Sequence, residues 1–466
     1  MKRTYLSAML ILLFPVFMNN LLSAQVNMDS LRHKPETVKA LINLSNSKLS
    51  MGKIFLMNSS HQDIAWMDSP EKCVIERDTM LLTPLYNRAI KDPSYRFDVE
   101  DALMLKEYIQ RHPDKKEGIK QLLKNGQLSC GSSFIQPYEE MYSGESLVRM
   151  FYFGTRWLNK EFGYHADTYW NPDVPGRTLQ MPQILSKAGT KYMLFSRFEK
   201  GIYKWYSPDN SYVTAYTPGH YAESFTSLQK NIYEAADYLA HSSMIWDGYF
   251  SAPSSATAIP VLSDWDMSPA KDYSNLILQW NNLTSVPGAN GSLSSIRLPK
   301  IELSLTPDFI KAFELHAGNI PEVRGERPAV WLYIHGPTHQ KAIKTSREGD
   351  ILLTMAEKFA TANAMIRGSY DGYPQQELTS AWESKIYPDH GWGGKHGDIT
   401  DQFFMDKYLM AKNEAEKILD LTLHDISSKI KTLSEKGIPL VVFNSLSWKR
   451  TDVATIHLSF DRVIAK

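Results

Sequence analysis

From residue 53 the chain alternates short apolar runs with longer amphipathic stretches, and this rhythm limits the folds open to it. KIFLMNS, YRFDVE, QLSCGSS, DTYWNPD, KYMLFSR, TAIPVLSDWD and AVWLYIHG read as strands, while ALMLKEYIQRH, SLVRMFYFGTRWLNKEF, TLQMPQILSKAG and SNLILQWNNL read as helices. Strands separated by helices pair in parallel, because a parallel pair needs a long crossover. The expected fold class is therefore α/β, a barrel-like parallel sheet with helices over residues 50 to 340. Beyond it, SREGDILLTMAEKFATANAMIRG and ITDQFFMDKYLMAKNEAEKILDLTLHDISSKIKTLSEKG repeat apolar residues at helical spacing and predict a small helical bundle. After Gly437, IPLVVFNSLSWKRTDVATIHLSF turns β-branched. It reads as the beginning of a β-sandwich, since two strands alone bury no core. The expected divisions are a leader at 1–24, an α/β domain at 25–340, a bundle at 341–437 and the start of a β domain at 438–466.

The leader reading rests on Lys2 and Arg3, the apolar stretch from Tyr5 to Leu22 and the small-residue ending Leu22-Ser23-Ala24 before Gln25. The alternative is an N-terminal membrane anchor, against which Pro15, Asn19 and Asn20 interrupt a run already short for a span. The first reading predicts export, periplasmic or secreted, with no stable membrane insertion after cleavage. The full chain carries 51 basic and 51 acidic side chains. With no basic stripe, nothing points to nucleic acid as a partner, and a neutral substrate fits better. The two cysteines, Cys73 and Cys130, make no disulfide framework; one bridge between them and two separate buried thiols both remain open. Any metal must then be held by His, Asp or Glu.

In a fold of this kind chemistry gathers past the strand ends, where the loops converge on one face of a rigid scaffold. His61 and Asp63, Asp173, Arg197, Asp264 and Asp266, and His335 each follow an apolar run. The turn MNSSHQDIAWMDS after Phe55-Leu56 sets an imidazole and a carboxylate two residues apart, able to serve one metal ion, with the Trp66 indole as a flat apolar wall. Arg197 could equally be half of a structural ion pair. Asp264 and Asp266 could cap a helix beginning near Ser268.

Taken together, HQDIAW, YWNPDVPG with the following TLQMPQILSKAGTKYMLFSR, SDWD and PDHGWGG resemble glycoside hydrolase family 38, the retaining α-mannosidases. The resemblance runs from about Lys53 to the end of the chain, and VVFNSLSW resembles the family's entry into its C-terminal β region. Since family members are usually far longer, a truncated member is expected. The resemblance implies Zn2+ held by His61, Asp63, Asp173 and His390, with Asp173 also the nucleophile. It implies Trp66 beside the bound sugar and Arg197 near the nucleophilic carboxylate, keeping it ionised. It places Asp266 as the acid/base, with Asp264 competing for that role, and His396 stands as runner-up to His390. A retaining enzyme needs its two carboxyl groups about 5–5.5 Å apart, one attacking the anomeric carbon and one protonating the leaving oxygen. Val174-Pro175-Gly176 departs from the aromatic and glycine common after the family's nucleophile, which implies a different pocket wall. His335 and His339 match no family ligand and read as a substrate contact or a structural pair. The resulting expectation is an exported, zinc-dependent hydrolase of α-mannosides or related glycans. The competing readings are a metal-dependent carbohydrate deacetylase and a truncated, non-catalytic glycan-binding protein.

Overall fold

The computed structural model describes residues 26–269, 271–329, 337–433, 435 and 437–456. The leader at 1–24, most of the AVWLYIHG strand with His335, and residues 457–466 lie outside them. The chain divides into two compact units, Met1–Lys341 with Ile386–Phe404, and Ala342–Lys385 with Met405–Lys466. The stretch 386–404, inside the range read from sequence as bundle, thus groups with the α/β unit.

The first unit holds twelve strands among its described residues: β1 Lys53–Asn58, β2 Phe97–Val99, β3 Leu128–Cys130, β4 Thr168–Asn171, β5 Tyr192–Phe195, β6 Gly201–Tyr206, β7 Tyr212–Thr217, β8 Ala258–Ser263, β9 Ser285–Pro287, β10 Leu293–Ser295, β11 Lys300–Ser304 and β12 Glu322–Arg324. β1 lies between β8 and β11, parallel to both. β2 and β3 form a second parallel pair, joined to β1 by the Ser59–Asp98 bridge. β4, β5 and β7 run parallel in a third sheet, with Ser132 N–H donating to Thr168 O to tie it to the segment after β3. The parallel α/β arrangement read from the alternation is present. It is drawn as several short ladders, and no ladder joins β7 to β8 among the described residues.

Two features differ from the all-parallel reading. β6 and β7 form an antiparallel hairpin whose turn is closed by Ser207 N–H donating to Ser211 O, with Asn210 left-handed at φ 63°. β9 and β10 form a small antiparallel pair. No helix begins near Ser268; the next one is Ser274–Asn281, so neither Asp264 nor Asp266 caps a helix. Cys73 and Cys130 are both buried free thiols, which removes the bridge.

Burial explains why the strands read as unbroken apolar runs: every residue of β4, β5 and β8 is buried, as expected of strands covered on both faces. The covering helices start and stop where local chemistry allows. Ser143 accepts the Ser146 N–H to open Gly144–Phe162, and left-handed Gly163 closes it. Trp246, Trp280, Phe309 and Phe313 fill the core around β1 and β8, while Phe97, Val99, Leu105 and Tyr108 fill that around β2 and β3.

The second unit is helical over most of its described residues, drawn from Pro337–Arg367, Gln375–Ile386 and Gly397–Ser428. Within it Lys385 Nζ lies 3.1 Å from Asp350 with both side chains buried, and the Trp382 indole donates to Glu357. Residues 438–456, read from sequence as strand, contain no strand. No helix of the described residues is long and apolar enough to cross a membrane.

Asp98 shows how the sheet is tied together. Its carboxylate accepts the Thr306 N–H at 3.0 Å, the Thr306 hydroxyl at 2.9 Å and the Ser129 hydroxyl, joining β2 to β3 and to the helix Thr306–His316. Burial pushes this carboxyl up to about 7, more than its hydrogen bonds lower it. Between the ordinary carboxylate range and about pH 7, the folded chain holds a proton that the unfolded chain has released. This contribution to stability is therefore lost as the pH rises across that window. Thermal unfolding measured from pH 5 to pH 7.5 should show a steeper fall in Tm for the wild type than for Asp98→Asn.

Candidate active site

Parallel pairing sends the C-terminal ends of β1, β2, β4, β5, β7 and β8 to one side, and the polar residues of the site follow those ends. His61 and Asp63 follow β1, Glu100 follows β2 and Asp173 follows β4. Arg197 follows β5, Tyr221 follows β7, and Asp264 and Asp266 follow β8. His390 comes from the 386–404 segment of the same unit.

His61 Nε2 lies 3.1 Å from His390 Nε2, 3.3 Å from Asp63 Oδ1 and 3.9 Å from Asp173 Oδ2. His390 Nε2 lies 2.9 Å from Asp63 Oδ1 and 3.7 Å from Asp173 Oδ2. A tetrahedral zinc site with bonds of about 2.0–2.1 Å has ligand atoms about 3.3–3.4 Å apart, the middle of this spread. The tautomers agree. His61 Nδ1 faces Glu100 Oε2 at 3.2 Å and His390 Nδ1 faces the Gln136 carbonyl at 3.2 Å, and each of these oxygens accepts a proton. Both imidazoles are thereby set to turn an Nε2 lone pair toward the same point, an arrangement that suits a divalent cation. His61, Asp173 and His390 are all buried and offer atoms within 4.8 Å of one another.

Without a cation, charge concentrates here. Burial would lower His61, but Glu100 and Asp63 outweigh it and hold the imidazole well above its usual range. Burial likewise works against charge on His390, yet Asp63 lifts it to about 9. Asp63 in turn is held far below the usual carboxylate range, because the two imidazoles outweigh its burial.

The ligand loops are fixed by their backbones. Asp264 accepts the His61 N–H at 2.5 Å, and the His61 carbonyl accepts the Met267 N–H at 2.8 Å. Asp389 accepts from the Ile64 and Gly391 N–H groups, each at 2.8 Å, which locks the His390 loop onto the His61 loop. A Cβ on Gly394, at φ 75°, would stand 2.4 Å from the Trp66 carbonyl oxygen, so only glycine permits this approach. A third clamp starts in a short π-helical stretch, Arg77–Leu82. The buried Arg77 donates to the Asp63 carbonyl at 2.7 Å and pairs with Glu107 at 2.6 Å, and Glu107 also accepts the Tyr387 hydroxyl at 3.0 Å.

Asp173 divides its carboxylate: Oδ2 faces the imidazoles, and Oδ1 takes the Arg197 guanidinium, whose Nε also donates to the Asp173 carbonyl at 2.8 Å. Asp173, Asp266, Trp66 and Arg197 line a cavity of about 170 Å3 together with Asp63, His390 and Tyr221. This is below the roughly 300 Å3 at which drug-sized pockets begin, and it suits a single ring. The Tyr221 hydroxyl donates to Asp266 at 2.6 Å. Burial raises the Asp266 carboxyl, and neither His61 nor the Tyr221 bond cancels that rise.

The structure thus brings together His61, Asp63, Trp66, Asp173, Arg197, Asp266 and His390. It separates three others from the cavity lining. Asp264 is fully buried behind His61; His396 lies on Asp68 at 3.1 Å and is partly exposed; His339 packs edge-to-face on Trp392. Sequence reading missed Glu100, Gln136, Tyr221, Arg77 and Glu107. Of these only Glu100, the last residue of YRFDVE, carried the signal of a polar residue past an apolar run.

Buried imidazoles and carboxylates converge at the ends of parallel strands on a small cavity with a further carboxyl in its wall, which defines a polar site able to hold a cation in an α/β scaffold. Residues 51–318, more than half of the 466-residue chain, match the N-terminal domain of glycosyl hydrolases family 38, and the chain belongs to that family. It is 21% identical over 440 residues to an alpha-mannosidase of Saccharomyces cerevisiae, covering 88% of this chain and 37% of that protein. It is 22% identical over 366 residues to alpha-mannosidase G of Dictyostelium discoideum, covering 72% of this chain and 30% of that one. An alpha-mannosidase structure from Enterococcus faecalis V583 superposes with a TM-score of 0.67 at 18% identity, over 81% of this chain and 43% of the other. The chain therefore spans well under half the length of these relatives.

Glu107→Ala would leave the Arg77 charge buried and unpaired. A loss of about 3–5 kcal/mol in unfolding free energy is expected, read by urea denaturation.

Proposed function

We propose that this chain is the catalytic part of a zinc-dependent retaining glycosidase that cleaves α-mannosides or related glycans. The observation that carries the reading is the divided carboxylate of Asp173, with one oxygen toward the imidazole cluster and the other on Arg197, at a cavity that also holds Asp266. Asp173 is the nucleophile, attacking the anomeric carbon to form a glycosyl ester on its own side chain. Arg197 holds it by a guanidinium contact to one carboxylate oxygen and a bond to its backbone carbonyl, and so fixes its angle of attack. Asp266 enters the cycle protonated, as burial favours, and gives its proton to the glycosidic oxygen as that bond breaks. With the leaving group gone, Asp266 takes a proton from water, which hydrolyses the ester and restores both carboxyls. Tyr221 holds the Asp266 carboxyl in place through both steps.

His61, Asp63, Asp173 and His390 would hold the zinc. When bound it would grip adjacent sugar hydroxyls and favour a distorted ring. The donor set supports this metal, since it lacks the all-oxygen chemistry that magnesium or calcium prefers. A deacetylase would leave the Asp173–Arg197 pair without a task, and a binding protein would leave the Asp266–Tyr221 pair without one. Residues 1–24 support export to the periplasm or beyond.

The wild type should hydrolyse an aryl α-mannoside, and a 2-deoxy-2-fluoro analogue should leave a mass adduct on the peptide containing Asp173. Asp173→Asn should lower kcat by about 10³-fold or more while the far-UV circular dichroism is unchanged. Acetate release from acetylated sugars without an adduct would favour the deacetylase instead. His61→Ala and His390→Ala should each lower the zinc content of purified protein measured by atomic emission, and full stoichiometry in either variant would remove that ligand.

A further inference from the structure

A cavity suited to one ring leaves the departing sugar outside it. The glycosidic oxygen receives its proton from Asp266, so the departing group lies on the Asp266 side of the cavity. Trp265 is the residue immediately before, and it is 41% exposed. Its indole stacks on Phe225, with ring centroids 5.3 Å apart and planes 19° from parallel. The stack grows from the two segments that furnish the acid and its hydrogen-bond donor, because Phe225 stands four residues after Tyr221. Lys271 Nζ lies 5.4 Å from the Phe225 ring, closing that side of the stack with a cation.

The placement is built rather than loose. The Trp265 carbonyl accepts the Ser60 hydroxyl at 3.1 Å, and the same hydroxyl accepts the Ser268 N–H at 3.1 Å. Ser60 adjoins His61, so the ledge is pinned to the strand end that carries the first imidazole. An indole with one face stacked and a large part of its surface in water is a poor core element. Its flat apolar surface suits the C–H face of a pyranose, which can be desolvated there while the sugar hydroxyls remain in water.

We propose that Trp265, supported by Phe225, is the platform for the first sugar of the leaving group, and that it makes this chain select glycans over mannosides with small leaving groups. The proposal rests on the glycosidase reading, with Asp266 as its acid. It assigns Trp265 a role in specificity and none in bond cleavage.

The test uses Asp173→Asn protein, which should bind without turnover, and titration calorimetry with methyl α-mannoside and with α-1,2-, α-1,3- and α-1,6-mannobiose. At least one mannobiose should bind more tightly than the methyl glycoside. Adding Trp265→Ala should cut that preference by about tenfold, the scale of one aromatic contact, while Trp265→Phe keeps part of it. In the enzyme with Asp173 intact, the ratio of kcat/KM for the preferred mannobiose to that for α-mannosyl fluoride should fall by a similar factor on Trp265→Ala. An unchanged preference overturns the platform, and so does an equal loss of affinity for both ligands, which would mean a structural role. No binding of any mannoside to Asp173→Asn protein, with no hydrolysis by the wild type, overturns the glycosidase reading and the platform with it.

Discussion

Two imidazole nitrogens 3.1 Å apart in a buried site set the terms for everything around them. Two protons there would repel, none would set lone pair against lone pair, and one would be shared as a hydrogen bond; a divalent cation between them would take both lone pairs at once. Asp63, within 3.3 Å of one and 2.9 Å of the other, supplies negative charge on the same side. The outer contacts keep this geometry from relaxing. Gln136 serves both rings at once: its side-chain amide donates to Glu100, the partner of His61, and its backbone carbonyl faces His390. A rotation of either imidazole would strand a buried donor, which costs roughly 1–3 kcal/mol.

The two histidines are 329 positions apart in the chain, so the geometry depends on how the intervening segments are anchored. The β1 strand brings His61 to the rim, and three separate devices bring His390 to meet it. Asp389 joins the loops through backbone N–H groups, Gly394 lets the chains approach, and the Arg77–Glu107–Tyr387 chain ties the Asp63 carbonyl to a residue just before His390. The Tyr142 hydroxyl adds a bond to the Pro388 carbonyl. Each of these contacts fixes a distance within the cluster of imidazoles and carboxylates.

The parts legible in the sequence were those where residue type and local pattern agreed. β1, β4, β5 and β8 are buried throughout or nearly so, and their apolar runs announced both the strands and the polar residues at their ends. Tyr221 escaped notice because β7, YVTAYT, mixes threonine and tyrosine with apolar residues and belongs to a hairpin that breaks the strand–helix alternation. Arg77 escaped for a different reason. On a helical stretch an arginine reads as a solvated charge, and its burial follows only from carbonyls thirteen and fourteen positions earlier that fold back over it. The helix expected at Ser268 failed because the segment after β8 is spent on bonds to the His61 loop, leaving no free turn to begin a helix before Ser274. Closure of the sheet into a barrel was not a property that local pattern could fix, since it depends on register between strands distant in sequence.

Backbone strain marks the same place as the side chains do. Arg197 and Met267 are non-glycine residues in the left-handed region, at φ 61° and 44°, a conformation that costs on the order of 1–3 kcal/mol each. Both are held by backbone hydrogen bonds, Arg197 N–H to Gly219 O at 2.7 Å and Met267 N–H to His61 O at 2.8 Å. In each case the turn makes room for a cavity residue: it lets the Arg197 guanidinium double back on Asp173, and it lets the chain leave Asp266 beside Tyr221 while still bonding to the His61 loop. An extended Arg197 would relieve the strain but forfeit the bonds to the Asp173 carbonyl and carboxylate. The strained form is favoured because a buried carboxylate without its cation would cost more than the turn does.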